Sequence, residues 1–317
     1  MNGEDIVIEE STHPPTRTRA THAGYVALVG RPNAGKSTLL NRLVGQHLSI
    51  VTPKAQTTWQ RVTGLLTTDD AQLIFLDTPG LLEARDLMQR SMLAAALEAL
   101  HEADVVLLVA DGTRPPGPRD VVRLEAALSD ARAPVHLAIN KVDVAPREAV
   151  EAWRAWAVSR GGGPVVHEIS ALDGEGTGEL LAALVKALPE APFLYPEEDV
   201  ATEPVRFFVA ELVRETIFEL YAEEIPYSSV CQVEEFREAE DPIYIKVNIF
   251  VERSSQKGIL LGAGGRAIRE LGMRARRKVE HFLGARVYLD LWVKPLKSWR
   301  RRRASLDRLG FRVPEED

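Results

Sequence analysis

Short apolar runs alternate with helix-like apolar spacing over the first part of the chain. Six runs rich in β-branched residues predict strands, at 25–29, 62–66, 73–76, 105–110, 135–140 and 165–169. The helical patterns between them are typical of an α/β fold with a mostly parallel sheet. A short connection that includes Asp69 and Asp70 separates the second and third runs. It is too short to hold a crossover helix. These two runs therefore predict an antiparallel hairpin that adds one edge strand.

A different order of elements follows a stretch rich in proline. Four prolines and several acidic residues at 189–204 predict a linker. Beyond it the pattern predicts a smaller α+β domain, with a helix at 205–221, strands near 230–236, 243–251 and 286–293, a helix at 267–282 and a basic helical segment from Trp299. We expect four parts: a flexible tail at 1–20, domains at 21–188 and 205–317, and the linker between them.

Composition and charge change this picture in two ways. The lone cysteine, Cys231, cannot form an intramolecular disulfide. The longest apolar run is far shorter than the roughly 20 residues of a membrane span. We therefore expect a cytoplasmic protein. The net charge of −7 hides a strong segregation. Residues 245–312 hold 18 Lys and Arg against 5 Asp and Glu, a net of +13. Such density predicts an anionic partner for the second domain.

Residues 30–37 match a phosphate-binding loop, and they lie between a predicted strand and a predicted helix. Backbone N–H groups of such a loop wrap phosphate oxygens at the helix N-terminus. Lys36 would neutralise the β- and γ-phosphates, and the Ser37 hydroxyl would ligate magnesium. The predicted nucleotide contacts in this loop are Gly30, Asn33, Ala34, Gly35, Lys36, Ser37 and Thr38.

Two further segments predict the catalytic end of the same site. Asp77 ends a strand, where its carboxylate can meet magnesium through water, and the Gly80 N–H can reach a γ-phosphate. Residues 54–58 are polar and without periodicity, as expected of a switch that senses the γ-phosphate. Thr58, with Thr57 as second choice, would complete the magnesium coordination. The predicted catalytic residues are Lys36, Thr58, Asp77 and Gly80, and the predicted metal ligands are Ser37, Thr58 and Asp77.

A third motif, at 140–143, predicts which base is bound. The Asp143 carboxylate can accept hydrogen bonds from both N1–H and the exocyclic amine of guanine, a pair that adenine does not offer. Lys141 would lie over the base, and Asn140 would tie this loop to the phosphate loop. Backbone N–H groups of Ser170 and Ala171, after the next strand, would meet guanine O6.

In the second domain, Gly262 and Gly265 form a GxxG pattern ahead of a basic helix. A loop without bulky side chains lets a nucleic-acid backbone approach closely, as in KH modules, which bind single-stranded RNA. The alternative is a glycine-rich turn between helices with a solvated basic face. The predicted RNA-binding residues are Lys257, Gly262, Ala263, Gly264, Gly265, Arg266, Arg269 and Arg274.

In this order and spacing the motifs resemble translation-factor-class GTPases, and the Gln-Thr-Thr at 56–58 and the KH-like pattern are similar to the Era family over nearly the whole chain. The resemblance implies a P-loop GTPase domain with a mostly parallel six-stranded sheet and a smaller KH domain. It implies GTP and GDP as ligands, with Mg²⁺. It also implies binding to 16S ribosomal RNA near its 3′ end and to the 30S subunit, as a GTP-gated ribosome assembly factor.

Some residues depart from the patterns of related GTPases. Leu81 stands where Ras-like proteins carry the glutamine that orients water, which predicts slow intrinsic hydrolysis. Asn33 matches a position that often helps related GTPases to bind potassium, so K⁺ is a further candidate cofactor. Trp59 and Ala263 each stand where the Era family usually carries a basic residue.

The sequence leaves other functions open. One alternative is a constitutive RNA-binding protein with a structural nucleotide pocket, and another is a small-molecule P-loop kinase. The basic run at 300–303 permits peripheral contact with anionic lipids at the inner face of the cell membrane. We expect a monomer.

Overall fold

The computed structural model describes residues 21–81, 83–129, 131–160 and 163–314. The predicted tail at 1–20 lies outside these residues. Strands and helices alternate through the first domain: β1 His22–Gly30, α1 Lys36–Val44, β2 Val62–Thr67, β3 Ala71–Asp77, α2 Leu87–Glu102, β4 Val105–Asp111, α3 Pro118–Ser129, β5 Val135–Asn140, α4 Arg147–Ser159, β6 Val165–Ile169 and α5 Thr177–Ala187.

The six strands form one sheet in the order β2-β3-β1-β4-β5-β6. Strand β2 pairs antiparallel with β3, and the other pairs are parallel, which confirms the predicted hairpin and the mostly parallel sheet. The carboxyl ends of the parallel strands meet at one edge. Four strands end there with Gly30, Asp77, Asp111 and Asn140.

Helices cover both faces of this sheet. Side chains of α1 and α5 pack on one face, and side chains of α2, α3 and α4 pack on the other. Strands β3 and β4 are therefore buried over their whole length, which explains why they appear in the sequence as continuous apolar runs rather than alternating ones.

The stretch interpreted as a linker lies against the first domain. Glu190 forms a β-bridge with His22, and Ala201 forms one with Gly64 of β2. The Leu65 N–H donates to the Val200 carbonyl at 2.9 Å. The contacts at Gly64 and Leu65 give the open edge of β2 hydrogen-bond partners and cover part of it.

The second domain combines a three-stranded sheet with two long helices on one face. Its elements are α6 Val205–Leu220, α7 Ile225–Ser228, β7 Ser229–Arg237, β8 Ile243–Val251, α8 Ser254–Leu261, α9 Arg266–Leu283, β9 Val287–Pro295 and α10 Arg303–Arg308. Strand β8 lies between antiparallel β7 and parallel β9. Alternate residues of the strands pack against α6 and α9. The predicted basic segment begins with a 3₁₀ turn, Trp299–Arg301, before α10.

An apolar cluster joins the two domains. After β9 the chain returns to the first domain, where fully buried Trp299 lies beside Trp59 and α2. The cluster consists of Trp59, Met88, Met92, Phe218, Val230, Phe250, Trp299, Leu306, Leu309 and Phe311. Among the described residues, no helix is long and apolar enough to cross a membrane.

Candidate nucleotide-binding and RNA-binding sites

The phosphate loop connects β1 to α1, as its pattern predicts. Gly35, the N-cap of α1, has φ 97°, and a Cβ there would lie 2.1 Å from the Asn140 Nδ2. This position therefore needs glycine both for its backbone and for its neighbour. The first N–H groups of α1 have no partner within the helix and are suited to bind an anion. A cavity of about 460 Å³ lies here between the loop, the 50–58 segment and Gly80.

Lys36 occupies the centre of this loop with 6% of its surface exposed. Its Nζ donates to the carbonyl oxygens of Gly30, at 3.3 Å, and Arg31, at 3.1 Å. Burial lowers the pKa of Lys36 to about 8, and the nearby Asp77 carboxylate opposes that shift. A phosphate bound beside the ammonium would favour its charged form.

Ser37, Thr58 and Asp77 meet at one point. The Ser37 Oγ donates to Asp77 Oδ2 at 2.8 Å and lies 3.0 Å from Thr58 Oγ1. Burial raises the pKa of Asp77, while Lys36 and Ser37 favour its ionised form. Asp77 Oδ1 is buried and, among the described residues, has no hydrogen-bond partner. Two hydroxyls and a carboxylate with a free oxygen suit the all-oxygen coordination of Mg²⁺, so these residues fit the predicted metal.

Asn140 joins the base-selecting loop to the phosphate loop. Its Nδ2 donates to the Ala34 carbonyl at 2.8 Å, which is the connection that the sequence predicts. Lys141, with φ 69°, donates from Nζ to the Asn33 carbonyl at 2.8 Å and to Asp111 Oδ2 at 2.9 Å. Burial alone would raise the pKa of Asp111, but hydrogen bonds from Thr113 and Lys141 lower it.

Asp111 was missed by the sequence analysis, although a signal was present. It ends β4 between the strands that end in Gly30 and Asn140, so the parallel sheet brings it to the same edge. An acidic residue at the end of a buried parallel strand is a candidate for that edge.

The two backbone groups predicted to meet guanine O6 already have protein acceptors. The Ala171 N–H donates to Asn140 Oδ1 at 2.9 Å, and the Ser170 N–H donates to the Glu175 carbonyl at 3.0 Å. A contact with guanine therefore requires the base to share or replace an acceptor. Asp143 is exposed in the turn after Lys141. The guanine contacts of these residues stay predictions.

The predicted switch segment lies outside helices and strands and is held by α6. Lys54 Nζ donates to the carbonyl oxygens of Phe218 and Tyr221. Arg214, only 1% exposed, donates to the Thr57 carbonyl and places its guanidinium 4.4 Å from the Trp59 ring centroid. Arg214 is not among the residues predicted from the sequence, where its only signal is a charged residue within an apolar helical pattern.

Leu81 lies beside the phosphate loop, where its N–H donates to the Gly30 carbonyl at 3.0 Å. Its side chain is 6% exposed and apolar, so it cannot orient a water molecule. Gly80 approaches the loop so closely that a Cβ there would lie 2.5 Å from the Pro32 nitrogen.

The GxxG segment joins α8 to α9, as predicted for a loop between two helices. Gly262, Gly264 and Gly265 have φ between 59° and 74°. A Cβ on Gly262 would lie 2.7 Å from the Ala267 Cβ, whereas a Cβ on Gly264 would meet nothing within 4 Å. The loop is thus tight at its start and open at its tip, where Ala263 is exposed.

The side chains around this loop are basic and apolar. Arg266 and Arg269 are exposed, and Lys257 is half-buried. Exposed Arg274 donates to Glu270 at 2.6 Å, so its charge is partly compensated. On the helices that flank the loop, Ile259 of α8 and Met273 of α9 expose 50% and 51% of their surface. Cations beside exposed apolar side chains suit an unstacked nucleic-acid strand.

Half of the basic run at 300–303 is occupied by contacts within the chain. Arg300 forms an ion pair with Asp86 at 2.8 Å. Arg303 donates to the carbonyl oxygens of Val313 and Pro314. These contacts count against a membrane-binding role for the run.

The fold and the site define a P-loop nucleotide-binding domain followed by a KH-type module. A family model described as "50S ribosome-binding GTPase" matches residues 25–141, and a KH domain model matches residues 224–300.

Two curated relatives are named GTPase Era. The one from Carboxydothermus hydrogenoformans is 41% identical over 91% of this chain and 97% of its own length. The one from Lacticaseibacillus paracasei is 40% identical over 93% and 98%. The chain belongs to the GTPase Era family and is a GTP hydrolase. This result excludes a small-molecule P-loop kinase and a constitutive RNA-binding protein with a structural nucleotide pocket.

Two solved structures agree with this assignment. A point variant of Aquifex aeolicus Era bound to GDP·AlF4⁻ has a TM-score of 0.86 and 39% identity, covering 92% of this chain and 100% of that one. Era in complex with MgGDPNP and nucleotides 1506–1542 of 16S ribosomal RNA has a TM-score of 0.88 and 38% identity with the same coverage.

Proposed function

We propose that this GTPase binds 16S ribosomal RNA near its 3′ end and acts on the 30S subunit as a GTP-gated assembly factor in the cytoplasm. The observation that carries the proposal is the open GxxG loop, with exposed Arg266 and Arg269 beside exposed Ile259 and Met273. The structural relative that contains nucleotides 1506–1542 of 16S RNA supports the same target. That RNA belongs to the small subunit, so we favour 30S over the 50S named in the family description.

We propose that the first domain hydrolyses GTP with the residues gathered at the edge of its sheet. Lys36 and the N–H groups of the phosphate loop bind the β- and γ-phosphates. Ser37, Thr58 and Asp77 hold a magnesium ion, which when bound stabilises charge on the phosphate oxygens. Gly80 lies close to Pro32 of the phosphate loop, and its N–H would meet the γ-phosphate and respond to its loss.

We propose that Asp143 selects guanine. Replacing it in Asp143→Ala removes the only predicted acceptor for guanine N1–H and the exocyclic amine, so GTP affinity should fall by about 100-fold or more. ATP affinity should stay unchanged, because adenine does not make these contacts. Titration with fluorescent GTP and ATP analogues measures both. Equal loss for the two nucleotides would show that Asp143 supports the fold of the loop rather than the choice of base.

RNA binding is tested with the full-length protein and a labelled single strand from the 3′ end of 16S RNA. In fluorescence anisotropy titrations we expect tighter binding with a non-hydrolysable GTP analogue than with GDP. The double variant Lys257→Ala, Arg266→Ala should bind more weakly and lower the slope of log affinity against log salt by about 1.4 for two phosphate contacts. Arg147→Ala, which removes an exposed arginine of α4 in the first domain, is the control. An unchanged slope would place the RNA on another face.

We propose that potassium accelerates hydrolysis, because Leu81 cannot orient water and Asn33 lies at the loop with φ 63°. The Asn33 Nδ2 donates to the Pro53 carbonyl at 3.0 Å, which leaves its Oδ1 for a cation. Turnover should be higher in potassium than in sodium buffer, and Asn33→Ala should remove the difference. Equal turnover of the unchanged protein in both salts would exclude this role.

A further inference from the structure

A second cavity lies beside the nucleotide cavity. It has a volume of about 590 Å³, and Leu81 is part of its wall. Pro32 and Gln56 line both this cavity and the nucleotide cavity, so they form the boundary between the two. Thr58 and Gly80, to which we assign magnesium and the γ-phosphate, line the nucleotide cavity together with Gln56. Gln56 therefore shares that cavity with these two residues and also borders the second cavity.

Gln56 is held in an unusual conformation and has an available amide. Its φ is 61°, in the left-handed region that a residue other than glycine rarely adopts without support from its surroundings. Its carbonyl accepts a hydrogen bond from Trp59 Nε1 at 2.8 Å. Among the described residues, the side-chain amide of Gln56 has no hydrogen-bond partner.

Trp59 is in turn held by the second domain. It is 5% exposed, with Arg214 of α6 on its face and the Trp299 ring 5.9 Å away at an angle of 42°. Arg214 is fixed by hydrogen bonds to Glu211 and to the Thr57 carbonyl. A continuous set of contacts thus runs from the second domain through Trp59 to the backbone of Gln56.

We propose that the Gln56 amide orients the attacking water, and that Trp59 is the positioning residue through which the second domain controls Gln56. The amide carbonyl accepts a hydrogen bond from the water, and the amide N–H donates to a γ-phosphate oxygen. The water oxygen forms a bond to the γ-phosphorus while the bond to the β,γ-bridging oxygen breaks, and GDP keeps that electron pair. The water proton leaves with inorganic phosphate, and Gln56 is unchanged. The proposal rests on the proposed phosphate site.

Gln89 is the other glutamine on the wall of the second cavity. Its Oε1 already accepts a hydrogen bond from the Arg85 N–H at 2.8 Å, at the start of α2. Its amide is thus engaged in the structure of the helix start, which favours Gln56 for the water and makes Gln89 a matched control.

The direct test is single-turnover GTP hydrolysis by the full-length protein. Gln56→Ala should slow hydrolysis by about 10- to 100-fold. Its affinity for a fluorescent GTP analogue should stay within about twofold, because the contact is made to water and develops in the transition state. Gln89→Ala should keep both values within about twofold. A normal rate for Gln56→Ala, or an equal loss in Gln89→Ala, would overturn the proposal.

Trp59→Phe tests the positioning role, since it keeps a ring against Arg214 but removes the N–H that holds the Gln56 carbonyl. We expect a loss of about threefold to tenfold in rate with unchanged GTP affinity. In a Gln56→Ala background the same change should cause no further loss, because the two residues act in series. A multiplied loss in the double variant would show that Trp59 acts independently of Gln56 and overturn its assigned role.

Lys36→Ala distinguishes failure of the role proposed for Gln56 from failure of the proposed phosphate site. If Lys36→Ala keeps full GTP affinity, the proposed phosphate site itself is wrong. If Lys36→Ala loses affinity while Gln56→Ala hydrolyses normally, the phosphate site stands and the role of Gln56 is rejected. Near-UV circular dichroism of each variant shows whether the shared apolar cluster around Trp59 is retained.

Discussion

At the scale of single residues, burial and close contact give the phosphate loop its properties. Lys36 and Asp77 are both buried, so each has a pKa shifted toward its neutral form, and each depends on the other's charge. A bound nucleotide and cation would favour the charged form of both. The loop is therefore organised for ligands before they arrive, and glycine permits the close approach of its backbone.

Gly35→Ala tests that close approach. The added methyl group would lie 2.1 Å from Asn140 Nδ2, and the Gly35 backbone has φ 97°. Either the phosphate loop or the Asn140 side chain must therefore move. GTP affinity, measured by fluorescence titration, should fall by at least about tenfold, as expected for 1.4 kcal/mol or more of lost positioning. Gly178→Ala is the matched control, since a Cβ there meets nothing within 4 Å in α5. Equal affinity of both variants would contradict the expected crowding.

At the scale of elements, the neighbouring strands β5 and β6 carry a stacked histidine pair. The rings of His136 and His167 are 5.3 Å apart with an interplanar angle of 10°, and His136 Nδ1 lies 3.0 Å from His167 Nε2. Burial lowers the pKa of both imidazoles, and His167 lowers that of His136 further. One shared proton satisfies the contact between the nitrogens, so protonating both rings would break it.

Because of this pair, we expect the stability of the first domain to fall in acid. Because both pKa values are lower in the folded protein, the unfolded chain binds more protons as pH falls below the ordinary histidine range. The pair's contribution to stability is thus present above that range and is lost as pH falls through it. Urea unfolding between pH 8 and pH 5.5 should show a smaller acid loss in His136→Phe than in the unchanged protein.

Exposed His101, at the end of α2, supplies the control for this experiment. His101→Phe should keep the acid loss of the unchanged protein. If His136→Phe and His101→Phe behave alike, the acid sensitivity arises outside the stacked pair.

At the scale of the whole molecule, the end of the chain holds the two domains together. Arg300 pairs with Asp86, whose carboxylate also accepts the Gln89 N–H at the start of α2. Ser91 Oγ donates to the Arg312 carbonyl at 2.5 Å, and Gln60 donates to the Leu309 carbonyl at 3.1 Å. Both α2 and the chain just after the switch segment are thereby attached to the second domain.

Arg300→Ala should weaken this attachment. It leaves Asp86 without its cationic partner and should lower the free energy of unfolding by about 1.5–3 kcal/mol, the range for hydrogen bonds to charged groups. Hydrogen exchange should rise at the start of α2, as expected of a local opening. Arg301→Ala replaces the adjacent exposed arginine and should change neither the free energy of unfolding nor hydrogen exchange at α2. Unchanged exchange at α2 in Arg300→Ala would show that the apolar cluster alone holds the domains.

The sequence by itself determined the strands, the phosphate loop and the GxxG loop. Each depends on residues that are close along the chain: buried strands appear as apolar runs, and tight turns need glycine at fixed spacing. The antiparallel hairpin was predictable for the same reason, since its short connection excludes a crossover helix.

Only the tertiary structure decided how these parts act on one another. Asp111 reaches Lys141 because β4 and β5 are neighbours in the sheet, and Arg214 reaches Trp59 across more than 150 positions of chain. The sequence left the switch contacts at Trp59 undefined, because no local pattern records which distant helix will cover a side chain. Long-range packing set the buried position of Trp59, its hydrogen bond to the Gln56 carbonyl and the ion pair of Arg300 with Asp86.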